Sequence, residues 1–113
     1  MAFTAALVQH PPRHEAREQV RAVWVSWVKA ARKGDHDAFK ALHGHFGKLA
    51  HAVIIARVPA ADAADLVQDV FLTVFQKLPQ LEDDAAFPGW LTQLCRSRAS
   101  RYVRDAKPHD GLD

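Results

Sequence analysis

The chain has 113 residues, 49% of them hydrophobic, and a formal net charge of +2, which leaves room for one compact core and little for two. Its single cysteine, Cys95, excludes an internal disulfide framework, and charged residues recur too often for any apolar run to approach the roughly 20 residues that cross a bilayer. The opening MAFTAALV lacks the basic start and cleavage site of a secretion signal, so a cytoplasmic protein without membrane insertion is expected.

Residues 1–18, with adjacent Pro11 and Pro12, read as a flexible arm ahead of a helical domain over 19–107, and residues 108–113 as the start of a linker or a frayed tail. Val20, Val23, Trp24, Trp27, Val28 and Ala31 recur at steps of mostly three and four, which predicts a first helix ended by Gly34. Asp35 is a natural N-cap for a second helix. Its apolar stripe is Phe39, Leu42, Phe46, Leu49 and Val53, its middle is weakened by Gly44 and Gly47, and Pro59 stops it. For the third helix Asp62 is the expected cap, with Asp65 reaching back to the freed amides and Leu66, Val67, Val70, Phe71, Val74 and Leu78 facing inward. Pro79 ends it. After an acidic loop over 80–86, a fourth helix directs Phe87, Trp90, Leu91, Leu94 and Val103 to the core. No strand pattern competes, so the expected fold is all-α, a compact four-helix bundle.

Charge is segregated along the chain. From position 62 to 84 six acids face one lysine, whereas from 85 to 107 five basic residues face one acid. Two surfaces of opposite sign imply two different partners. On the third helix Asp65, Gln68, Asp69 and Gln76 lie opposite the apolar stripe. On the fourth, Arg96, Arg101 and Arg104 descend the outer side with Arg98 and Lys107 nearby, a strip suited to phosphates.

Other constellations carry less. His43, His45 and His51 share one helix, but positions 43 and 45 point about 160–200° apart at 3.6 residues per turn, which is poor geometry for a shared metal ion. No phosphate loop, paired nucleophile or carboxylate dyad appears, so neither an enzyme nor a cofactor is expected. Cys95, inside an apolar helical pattern, reads as a small core residue, and Trp24 and Trp27 as core anchors. Trp90 reads equally as packing or as a stacking platform for bases.

Three stretches, KGDHDAF (33–39), DLVQDVF (65–71) and FPGWL (87–91), occur in an order and at a spacing that resemble region 2 of the extracytoplasmic-function (ECF) sigma factors, over about residues 19–106. The resemblance implies a bundle of the sigma region 2 type, docked on the β′ clamp coiled coil of the RNA polymerase core through Asp65, Gln68 and Asp69. It further implies recognition and melting of the promoter minus-ten element, with Leu81, Trp90, Arg96, Ser97, Arg101 and Arg104 against the non-template strand. Opening of the duplex would draw on binding alone, stacking in DNA being worth about 1.4 kcal/mol per step.

This chain departs from the family at three points. Ser97 stands where many members carry Asn, Leu81 where an aromatic residue is frequent, and Glu82, Asp83 and Asp84 put negative charge where a strand would lie. Members of the family continue into a second helical domain that reads the minus-thirty-five element, so the resemblance also implies a domain excised from a longer protein. Two rival readings stand beside it. One is an interaction module whose main partner is a regulatory protein such as an anti-sigma factor, held by the acidic loop and the first helix. The other is a helix-turn-helix domain unrelated to polymerase.

Overall fold

The computed structural model of the protein describes residues 13–106, which form four α-helices with no strand among them: α1 (Arg13–Arg32), α2 (His36–Ile55), α3 (Ala60–Lys77) and α4 (Phe87–Ala106). The expectations placed on residues 1–12, on Lys107 and on 108–113 lie outside the described residues. Two short 3-10 turns, Leu78–Gln80 and Asp84–Ala86, carry the chain from α3 to α4. None of the helices is long and apolar enough to cross a membrane.

Helix α1 starts at Arg13, within the span expected to be an arm, because 13–33 contains neither Gly nor Pro and Glu15 sits in the first turn where the helix dipole favours an acid. It ends as predicted: Gly34 takes φ +100°, a left-handed conformation that side chains resist. Asp35 then caps α2, its Oδ1 accepting from the Ala38 amide at 3.1 Å.

Helix α2 packs against each of the other three. It buries Ala38, Leu42, Phe46, Ala50 and Ile54, a strict four-residue row, the ridge that interlocks with neighbouring helices. Leu49, assigned inward from the sequence, stays 39% exposed, since the row pivots on the small Ala50. The α3 stripe buries Leu66, Val67, Val70, Phe71, Val74 and Leu78 as predicted. On α4, Phe87, Leu91, Cys95 and Ala99 form the buried row, and Val103, expected inside, lies beyond the core and is exposed. Three alanines on three helices, Ala50, Ala63 and Ala99, are completely buried.

The apolar stripe of α1 divides. Val28 is buried, Trp24, Trp27 and Ala31 pack against the core, and Trp24 meets Phe46 edge-on at 5.5 Å. Val20 and Val23, also expected inside, are about half exposed.

Gly44 and Gly47 sit in helical backbone, and a methyl group added at either would meet nothing within 4 Å. Gly44→Ala should therefore raise stability by about 0.5–1 kcal/mol through loss of unfolded-state freedom. Thermal unfolding followed by circular dichroism tests this, with a midpoint higher by a few degrees expected.

Candidate functional site

The exposed side of α3 bears Asp65, Gln68 and Asp69, all at the surface. Steps of three and four carry the same side on to Leu72 and Phe75, 61% and 50% exposed. These two were not singled out in the sequence. Phe75 is braced by Phe39 at 5.3 Å and by a stacked His36 at 5.9 Å. The face is thus acidic and polar toward the start of α3 and apolar toward its end.

Asp62 does not cap α3. The helix starts one turn earlier, after Pro59, which occupies the cap position without a side-chain bond, and Asp62 instead accepts a hydrogen bond from the Tyr102 hydroxyl of α4. That hydrogen bond, then burial and the Asp62 charge, raise the phenol above its ordinary range. The capping box expected with Asp65 does not form, which leaves the Asp65 carboxylate without a hydrogen bond or ion pair among the described residues. Asp69 is partly engaged: its Oδ2 accepts from Arg98 Nε at 3.3 Å and Nη2 at 3.1 Å. Arg98 therefore staples α4 to α3 and is only 22% exposed.

The three acids of the loop sort into different roles. Asp83 caps the turn leading into α4 by accepting from the Ala85 amide at 3.0 Å. Asp84, 15% exposed, is ion-paired with Arg32 of α1. Glu82 alone of the three has no such partner among the described residues, so repulsion of an approaching anion is weaker than three adjacent carboxylates imply.

Leu81 and Trp90 both pack half-buried on the core and, with Lys77, Gln80 and Glu82, line one shallow hollow. Trp90 packs on Phe87 at 5.9 Å and borders the hollow. A second depression, between α3 and α4, includes Lys77, Ser97, Arg98 and Arg101. A third gathers Arg96, Ser97, Arg101 and Arg104, joined by Arg57 and Ser100. Shared lining residues make the three one trough along α4: Lys77 links the first two, Ser97 and Arg101 the last two. From Trp90 to Arg104 it runs about 21 Å at the helical rise.

Arg57 was missed in the sequence because it lies in the turn after α2, outside any periodic pattern. His43 and His45 serve as ring partners, His43 against Phe71 at 4.3 Å and His45 against Phe46 at 4.7 Å and Trp27 at 5.8 Å. No group of three or more His, Cys, Asp or Glu among the described residues is placed to hold a metal ion. Cys95 is fully buried, and that burial pushes its thiol up to about 11, which keeps it protonated and inert as a core side chain.

Residues 42–109 match the Sigma-70 region 2 family. The ECF RNA polymerase sigma-E factor of Escherichia coli (strain K12) is 29% identical over 76 residues, covering 67% of this chain and 40% of that protein, and that of Salmonella typhimurium (strain LT2) gives the same values. The chain thus spans less than half the length of these curated relatives. The fold is shared with an engineered region 2 of sigmaE, solved by NMR in complex with GTAAAA, with a TM-score of 0.69 and 24% identity over 73% of this chain and 86% of that one. Sigma factors are transcription initiation factors, not enzymes. With its four-helix fold and its spacing of DLVQDVF and FPGWL, the chain belongs to the Sigma-70 region 2 family.

Proposed function

We propose that the domain docks on the β′ clamp coiled coil of the RNA polymerase core through Asp65, Gln68 and Asp69 and recognises and opens the promoter minus-ten element along the trough of α4. The observation that carries this reading is the separation of charge on adjacent helices, a carboxylate-bearing face on α3 and a guanidinium-lined trough on α4. Carboxylates accept paired, charge-assisted hydrogen bonds from arginine, and Leu72 and Phe75 extend that face with apolar surface that a partner helix would cover. Guanidinium and hydroxyl groups suit phosphates, and a half-buried tryptophan beside a hollow suits an unstacked base. The sigmaE domain with the same fold was solved in complex with GTAAAA.

Arg96→Ala combined with Arg104→Ala should weaken binding to a single-stranded oligonucleotide carrying GTAAAA. It should also reduce the slope of log affinity against log salt by about 1.4, two phosphate contacts at roughly 0.7 each for single strands. Fluorescence anisotropy across a salt series measures both, and unchanged affinity and slope would remove the trough from the mechanism. The reading in which a regulatory protein such as an anti-sigma factor is the main partner keeps the exposed Val20 and Val23 of α1. It loses part of its acidic loop, since Asp84 is held by Arg32 and the exposed Asp83 already caps the turn into α4.

A further inference from the structure

Arg57 stands 39 positions before the nearest residue of the basic strip, yet it faces the same depression as Arg96, Arg101 and Arg104. We infer that Arg57 is the second jaw of a phosphate clamp at the C-terminal end of the trough, closing on the backbone of double-stranded DNA that flanks the opened stretch. The inference rests on the proposed DNA-binding role of α4 and adds a residue, a place and a form of DNA to it.

Position argues first. Arg57 sits on a tight turn whose amides at Arg57 and Val58 both donate to the Ile54 carbonyl, at 3.0 and 3.1 Å. Val58 is anchored in the core and Pro59 follows at once, so the backbone carrying the guanidinium is rigid although the side chain is exposed. Arg57 Nη1 donates to Ser100 Oγ at 3.2 Å, which sets the guanidinium across the depression from Arg104. An exposed bond of this kind contributes little to stability, so stability gives no reason to hold an arginine there.

Charge argues second. The depression is lined by four guanidiniums and two serines, Ser97 and Ser100, without a carboxylate. The acids closest in sequence are already engaged: Asp62 accepts from Tyr102, and Asp105 pairs loosely with Arg104 at 3.8 Å, both side chains about 70% exposed, a pair that solvent screens. The trough is also unequal along its length. Its Trp90 and Leu81 end offers surface on which a base can lie, whereas at the Arg57 end charge and hydroxyl groups dominate, with Val103 beside them. A splayed base fits the first end; at the second, Arg96, Arg101 and Arg104 hold phosphates of the bound strand, and Arg57 adds a contact for the phosphates of a complementary strand where the bases stay paired.

The test uses the full chain and three labelled DNAs: the bare GTAAAA strand, and the same strand as an overhang with a duplex flank on its 5′ or its 3′ side. Arg57→Gln should reduce the salt slope by about 0.9 on at least one flanked DNA, one duplex phosphate contact, and leave the bare strand unchanged. Between 50 and 200 mM salt that variant should lose about threefold less affinity than the parent chain. Arg57→Lys, which keeps the charge, should restore the slope, and Ser100→Asp should weaken binding to the same flanked DNA. Equal slopes for Arg57→Gln and the parent on both flanked DNAs would overturn the clamp, as would an equal loss on the bare strand. If Arg96→Ala with Arg104→Ala still weakens the bare strand in that case, only the clamp falls; if it does not, the DNA-binding role of α4 falls with it.

Discussion

Asp65→Lys is expected to abolish association with the RNA polymerase core in a pull-down while moving the thermal midpoint by no more than a few degrees. The carboxylate is exposed and takes no hydrogen bond or ion pair from its own chain among the described residues, so its replacement disturbs little inside the bundle. The internal loss is small, because Asp65 lies past the first turn of α3, where the helix dipole has fallen off. At the interface the loss is larger. Removing a hydrogen bond to a charged group costs roughly 1.5–3 kcal/mol, and setting a lysine against a basic partner adds several more. At 1.4 kcal/mol per tenfold, that total lowers affinity by a thousandfold or more. Asp69→Lys should have the same result, but it also breaks the pair with Arg98 and puts two cations side by side, which makes Asp65 the cleaner probe. Capture of undiminished polymerase by Asp65→Lys would remove the proposed docking face.

The largest effect on stability is expected at Phe87. It is completely buried, opens α4, and lies against Phe46 at 5.1 Å and Trp90 at 5.9 Å. Phe87→Ala should cost about 3–5 kcal/mol, the transfer of a ring plus the cavity it leaves. For a domain whose total stability falls in the common range of about 5–15 kcal/mol, that is a large share. The midpoint should fall by more than about 12 °C, as followed by circular dichroism at 222 nm. Because Phe87 belongs to FPGWL, this substitution should also impair DNA binding, though only through the fold: at a temperature where the variant stays folded, its salt slope should match the parent's. A midpoint within a few degrees of the parent's would show that Phe87 does not hold α4 in place.

Much of the architecture was legible because it depends on local spacing. The α3 stripe from Leu66 to Leu78, the Gly34 stop and the Asp35 cap follow from periods and backbone preferences that neighbouring residues set together. The errors lie where distant residues decide. Asp62 looked like a cap because its partner, Tyr102, is 40 positions away, and Pro59 already fixes the start of the helix. Leu49 and Val103 carry the right apolar chemistry for the core, but alanines and a cysteine take the inner rows of α2 and α4, and small residues give a weak periodic signal. At the candidate site, Asp65, Gln68 and Asp69 were placed on one exposed face by helical arithmetic. The pairs Asp69 with Arg98 and Asp84 with Arg32, 29 and 52 positions apart, and the approach of Arg57 to α4, require the folded bundle to be seen.

Ala50, Ala63 and Ala99 touch neither proposed partner, yet all three are sealed inside the bundle. A methyl group is the smallest side chain that still fills space, and a close-packed interior cannot absorb a larger one without moving its walls. They act as spacers of minimum thickness between helices, and the helices they space carry the acidic face and the basic trough. The distance between the proposed polymerase face and the proposed DNA trough is thus gauged by three side chains with no chemistry to offer either.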